Sequence, residues 1–160
     1  RARFPTCRHI RMKPGIDQLL TTLATTLAAR ILPQLDMQSY ATGDARIAAL
    51  LSILLAQEAD RAADTLSREN REMRMLFLAA SKMDLMAPLR VRLAHDAALE
   101  EADLKLSTLS AAHDRYSETL MALQIAVEGM DDDWARALNA EIWQFLVQAS
   151  ERRLLFMPAM

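Results

Sequence analysis

Apolar residues recur at steps of three and four along the second half of the chain. The steps run without a miss through Leu99, Ala102, Leu106, Leu109, His113, Tyr116, Leu120, Leu123 and Val127. This spacing places the side chains on one stripe of an α-helix, at the repeat of helices that pack lengthwise. The pattern predicts a helix from about Leu89 to Glu128, ended by Gly129 in the left-handed conformation.

The same periodicity predicts three further helices. They run from about Ile16 to Leu32, from Asp44 to Met83 and from Trp134 to Arg153. Pro33 ends the first, because proline disfavours the α conformation in the residue before it. The segment from Lys82 to Pro88 is a natural reversal, so the second and third helices should lie antiparallel. The sequence therefore predicts an all-α fold, an antiparallel bundle of about four helices with a long central two-helix hairpin.

The composition supports a helical protein with apolar surface to spare. The chain has 28 Ala and 26 Leu against 3 Gly, and aromatic residues make up 5%. Ala and Leu are strong helix formers, whereas strands favour the β-branched and aromatic residues that are scarce here. We predict one helical-bundle domain over residues 16–160. Since 52% of the residues are apolar, we also expect a homo-oligomer or another protein as partner.

The start of the chain is strongly basic. Residues 1–15 carry Arg1, Arg3, Arg8, Arg11 and Lys13 and no acid, which leaves a net charge of −7 on the remainder. An acidic body repels phosphate, so we predict no nucleic-acid partner. The helical pattern starts only after Met12. We expect residues 1–15 to be a basic arm that is non-native or disordered, with Met12 as the natural start.

Several features indicate a cytoplasmic protein. The single cysteine, Cys7, cannot form an internal disulfide, which fits a reducing compartment. The longest run free of strongly polar residues, from Ile47 to Ala56, is about half the length of a membrane span, and the first residues lack a signal-peptide core.

Sequence motifs for catalysis and metal binding are missing. Neither His95 nor His113 has a glutamate three residues before it, as di-iron bundles require. On one helix the two histidines would lie about 27 Å apart and could not share an ion. The three glycines stand alone, and there is no Gly-x-Ser-x-Gly. We therefore predict no catalytic residue, no metal site and no cofactor.

One polar pair remains a candidate. If the hairpin reverses near residues 85–86, His113 faces the region of Glu58. A histidine opposite a glutamate in an apolar seam would form a buried, charge-assisted pair. The alternative is that His113 lies at the edge of the seam or bonds a backbone carbonyl, because most buried polar groups are structural.

Candidate partner-binding residues lie on two predicted helices. Arg71 and Arg74 belong to a charge-rich face that could receive an acidic partner. Trp143, Leu146 and Val147 form a second apolar flank on the last helix, beyond what one seam needs. Methionines at 73, 75, 83 and 86 could instead form adaptable walls for a ligand.

Three segments carry a family resemblance: Glu69-Asn70-x-x-x-Arg74-x-Leu76-Phe77, Glu141-Ile142-Trp143 and Glu151-Arg152-Arg153. They resemble an uncharacterised family of small helical bacterial proteins, often encoded near acyl-CoA dehydrogenases and aminoglycoside-phosphotransferase-like kinases. The stretch from Met12 to Gln18 resembles the start of that family. Because the family has no established activity, the resemblance implies only an accessory role near acyl-CoA or phosphoryl-transfer metabolism.

The most consistent interpretation is a non-catalytic accessory or protein-interaction module. One alternative is a module that binds a small apolar or acyl ligand between helices. Another is an enzyme that uses a buried Glu58 and His113 pair. A polar cavity would favour the enzyme, a closed apolar cavity the ligand binder, and an exposed apolar face the interaction module.

Overall fold

The computed structural model describes residues 13–157, and all regular structure in that range is helical. The helices are α1 (Ile16–Thr26), α2 (Tyr40–Ala80), α3 (Ala87–Ala98), α4 (Leu106–Glu128) and α5 (Asp133–Arg152). A π-helical turn (Leu27–Ile31) and a 3-10 turn (Leu32–Gln34) follow α1. The all-α prediction is confirmed for these residues. Of the predicted basic arm, residues 1–12 lie outside the described range.

The described residues fall into two compact units, 13–60 with Met157, and Arg61–Phe156. In the first unit, the buried residues are small or carry a hydroxyl: Ala24, Thr42, Ala49, Ser52 and Ala56. Large apolar side chains of α2 in this unit, Ile47, Leu51 and Leu55, are more than half exposed. The buried side chains of this unit are therefore small, and its large apolar side chains on α2 are exposed.

The second unit contains the main hydrophobic core. Its buried members include Met73, Phe77, Ala80, Leu93, Tyr116, Leu123, Val127, Leu138, Ile142 and Phe145. The rings of Phe77 and Tyr116 meet edge to face, with centroids 6.1 Å apart and an interplanar angle of 68°. Such aromatic pairs add to the stabilisation that comes from burying their area.

Contacts within the second unit show the directions of its helices. Asn70 contacts Leu109 and Phe77 contacts Tyr116, so this part of α2 runs parallel to α4. Glu72 pairs with Arg152 near the end of α5, whereas Ala79 and Glu141 line one groove, so α5 runs antiparallel to α2. The α3 helix lies against α4 through Arg92 and Asp96, which both contact Thr119.

The predicted third helix is interrupted at residues 99–105, so the described range has five α-helices rather than about four. Arg74 of α2 donates to the carbonyl of Leu99 and pairs with Glu101 at 3.5 Å, which holds this segment against the core. The Lys105 amide donates to the Asp103 carboxylate at 3.0 Å. These tertiary contacts override the helical periodicity at Leu99 and Ala102.

Two further expectations about α4 are corrected. The apolar stripe is buried only from Leu109 onward, since Leu106 is 52% exposed. Gly129 ends the helix as predicted, but its φ of −84° is not left-handed, so that part of the prediction is wrong. Among residues 13–157, no helix combines the length and the apolar character that crossing a bilayer requires.

Candidate functional site

A group of polar side chains is buried where α2, α4 and the end of α5 meet. Glu69 and Asn70 of α2 are fully buried, and both approach His113 of α4. The His113 Nδ1 lies 3.2 Å from the Asn70 Oδ1 and 3.8 Å from the Glu69 Oε2. Arg153, directly after α5, completes the group, called here the His113 network (Glu69, Asn70, His113 and Arg153).

The hydrogen bonds of Asn70 fix the protonation of His113. The Asn70 Nδ2 donates to the Leu109 carbonyl at 3.0 Å, which turns its Oδ1 toward the histidine ring. An amide oxygen only accepts, so the His113 Nδ1 must carry a proton. The Arg153 Nη2 lies 2.9 Å from the His113 Nε2 and can only donate, so that nitrogen accepts. His113 is therefore a neutral ring protonated at Nδ1.

Arg153 also pairs with the buried carboxylate. Its Nη2 donates to the Glu69 Oε2 at 2.5 Å, and its Nε to the Oε1 at 3.4 Å. The preceding residue forms a similar ion pair with α2, in which the Arg152 Nη2 donates to the Glu72 Oε2 at 2.6 Å. Two adjacent arginines thus tie the end of α5 to successive turns of α2.

The His113 network lies at one end of a cleft between α2, α4 and α5. The cleft has a volume of about 410 Å³, within the usual range for small-molecule sites of about 300–1,000 Å³. Its walls are mostly apolar and include Met73, Leu120, Met121, Phe145, Leu146 and Ala149. Ser117, Gln124 and Ser150 add uncharged polar groups. The cleft is therefore amphipathic, with charge confined to one end.

The surroundings of His113 lower its pKa below the ordinary value. Burial of the ring is the main cause, and the positive charge of Arg153 acts in the same direction. The negative charges of Glu69 and Asp114 oppose it. This direction agrees with the neutral ring that the hydrogen bonds require.

A lowered pKa makes stability depend on pH. The unfolded chain takes up a proton on His113 at a higher pH than the folded chain, so acidification through this interval favours unfolding. We expect the denaturant concentration at the unfolding midpoint to decrease as the pH is lowered from about 7 to about 5. The His113→Gln variant should show a smaller decrease. Denaturation curves at a series of pH values measure it. Parallel declines in the wild type and the variant would contradict the assignment.

The structure places the two members of the predicted polar pair in different units. Glu58 is exposed and belongs to the first unit, whereas His113 lies in the second. The carboxylate beside His113 is Glu69. The predicted register between these helices requires one continuous third helix. The interruption at residues 99–105 adds a second reversal, so His113 meets a position eleven residues further along α2.

The predicted partner-binding residues separate into two groups. Arg74 is mostly buried and is engaged with Leu99 and Glu101, so it serves the interior rather than a partner. Arg71 is exposed. Trp143 and Val147 are 52% and 54% exposed, whereas Leu146 is half-buried and lines the cleft.

Sequence reasoning missed a second buried polar group, between α3 and α4. Thr119 donates to the Asp96 Oδ2 at 2.6 Å and accepts from the Arg92 Nε at 2.8 Å. His95 contacts the other Asp96 oxygen at 3.0 Å. The signal in the sequence was weak, because Thr119 adjoins the apolar stripe without interrupting it. Its bonds join two helices, which is a structural role.

The polar groups at this end of the cleft are bonded to one another. Both ring nitrogens of His113 are engaged and the charges of Glu69 and Arg153 balance, so the end of the cleft presents a neutral, hydrogen-bonded group. Within residues 13–157, no cluster of three His, Cys, Asp or Glu side chains is arranged to hold a metal ion. Comparison with protein-family models, curated proteins and solved structures gives no match to this chain.

Proposed function

We propose that the protein is a helical bundle that acts as a non-catalytic interaction module, associating through an apolar surface on α4 and α5. This α4–α5 surface consists of Met121, Ile125, Trp143, Leu146 and Val147. The observation that carries the proposal is the exposure of its large side chains: Ile125 is 74% exposed, Met121 57% and Trp143 52%. Contiguous apolar patches are typical of protein-interaction sites.

The five residues of this surface lie on two neighbouring helices. Met121 and Leu146 line the same cleft, so the two helices approach each other there. Ile125 lies one turn from Met121 along α4, and Trp143 and Val147 lie one turn apart along α5. The surface thus has an aromatic member, of the kind that dominates binding energy at interfaces.

We propose a second copy of the chain as the partner. An apolar patch on two helices can pair with itself about a two-fold axis, which is the commonest route to a homodimer. Burying a half-exposed large apolar side chain contributes about 1 kcal/mol. Several such side chains on each copy would offset much of the entropy lost on association.

The experiment is sedimentation of the wild type and of surface variants. We expect a wild-type species of about twice the monomer mass of 18.0 kDa, and a monomer for Trp143→Glu, because the charge would have to be desolvated in the interface. The matched control is Val91→Glu, at a 70% exposed apolar position on α3, which should leave the dimer intact. A wild type that stays monomeric at every concentration would contradict self-association.

A further inference from the structure

We propose that the cleft between α2, α4 and α5 binds a small monocarboxylate with an apolar tail. The carboxylate would lie at His113, Ser117 and Arg153, and the tail along Met73, Leu120 and Phe145. This ligand site adjoins the α4–α5 surface, because Met121 and Leu146 belong to both.

The apolar walls of the cleft indicate that the ligand has an apolar tail. Met73 is 1% exposed, Leu120 5% and Phe145 8%, so they form a fixed lining rather than a mobile surface. Met121 is 57% exposed and Leu146 is half-buried, so both lie toward solvent, where the flexible thioether of Met121 adapts to different shapes. Apolar walls of this kind gain free energy from any hydrocarbon that displaces water from them.

The accessible groups at the polar end indicate an anionic head. The oxygens of Glu69 are inaccessible, since its side chain is 0% exposed, whereas the Arg153 side chain is 53% exposed and that of His113 is 17%. The hydroxyls of Ser117 and Ser150 lie on the same lining. A molecule in the cleft therefore meets the serine hydroxyls and the exposed part of the Arg153 side chain rather than the Glu69 oxygens, and a carboxylate is a head that accepts from such donors.

Binding of a carboxylate should add a proton to His113. The charged groups that face the ring are Glu69 from α2, Arg153 from the end of α5 and Asp114 on α4 itself. With His113 neutral, Arg153 balances only one of the two carboxylates, so an added carboxylate would increase the negative charge around the ring. Protonation of the ring at Nε2, by a proton from solvent, offsets the added charge. The protonated Nε2 then no longer accepts from Arg153, so both groups can donate to the ligand. The negative ligand thus offsets the burial that lowers the pKa of His113.

The test compares three ligands with the same ten-carbon tail: decanoate, decanol and decylamine. Calorimetric titration of the full chain should show the tightest binding for decanoate, with an affinity that rises by up to about tenfold per unit fall in pH near neutrality. Heats in buffers of different ionisation enthalpy should show uptake of a proton. His113→Gln should remove the pH dependence and the proton uptake.

A pair of serine-to-tryptophan variants tests the location. Ser150 is exposed and lines the cleft, so Ser150→Trp should block it and weaken decanoate binding by about tenfold or more. The matched control is Ser110→Trp, at an exposed position of α4 away from the cleft, which should bind as the wild type does. Equal binding of decanoate and decanol, tighter binding of decylamine, an unaffected Ser150→Trp, or no binding of any probe would overturn the proposal.

Discussion

Replacing Arg153 with methionine is expected to lower the free energy of unfolding by about 3 kcal/mol, although the arginine side chain is 53% exposed. The reason lies with its partner, because Glu69 is fully buried and would keep only a distant contact with His113, at 3.8 Å. A buried carboxylate without its cation carries an uncompensated cost of desolvation. Methionine keeps most of the apolar part of the arginine side chain. The decrease in the free energy of unfolding therefore measures the effect of removing the charge.

Replacing Glu69 with glutamine should lower the free energy of unfolding much less. Glu69→Gln removes the buried charge and leaves Arg153 near solvent, where its guanidinium can be hydrated. The double variant should therefore be more stable than Arg153→Met alone. Urea denaturation of the four proteins gives the coupling between the two positions. Arg136→Met is the matched control, because its pair with Asp133 is exposed and should contribute less than about 0.5 kcal/mol. Equal losses for Arg153→Met and Arg136→Met would contradict the role of Glu69.

Phe77→Ala is expected to lower the free energy of unfolding by about 4 kcal/mol. Phe77 is 0% exposed and meets the Tyr116 ring edge to face at 6.1 Å, so alanine would leave a cavity between α2 and α4. The neighbouring position provides a control, since Leu78 is 53% exposed and Leu78→Ala should cost less than about 1 kcal/mol. Thermal and urea denaturation measure both, and a similar loss for the two variants would contradict the packing of α2.

The positions of the helices follow from the sequence where local signals are strong. The reversal before Pro88 and the stop at Gly129 lie close to helix ends that the structure has, whereas α1 ends at Thr26, seven residues before Pro33. Met73, Phe77 and Ala80 are buried as their spacing indicates. These features depend on residues within one or two turns of each other, which is the range over which a sequence pattern carries information.

The interruption of the predicted third helix depends on a contact that is distant in the sequence. No glycine or proline marks residues 99–105, and Leu99 and Ala102 keep the helical spacing. The segment is held by Arg74, some twenty-five residues earlier, through the Leu99 carbonyl and Glu101. Periodicity cannot report such a bond, and the register that pairs His113 with Glu58 depends on an uninterrupted third helix.

The candidate site was predictable in part. His113 was identified as a polar residue within an apolar stripe, and the break in the apolar stripe of α2 at Glu69 and Asn70 is visible in the sequence. The contact of His113 with Glu69 and Asn70 could not be predicted, because it depends on the register between α2 and α4. The role of Arg153 could not be predicted from the sequence, because it lies in a charged segment at the end of the last helix. Only the fold brings it to Glu69.

The most direct test of the His113 network is the protonation state of its histidine. Long-range proton–nitrogen NMR correlations separate a neutral ring protonated at Nδ1 from one protonated at Nε2 and from a charged ring. At neutral pH and without ligand, the structure predicts for His113 a protonated Nδ1, which donates to Asn70, and an unprotonated Nε2, which accepts from Arg153. A ring protonated at Nε2, or a charged ring, would contradict the hydrogen bonds that join α2, α4 and the end of α5.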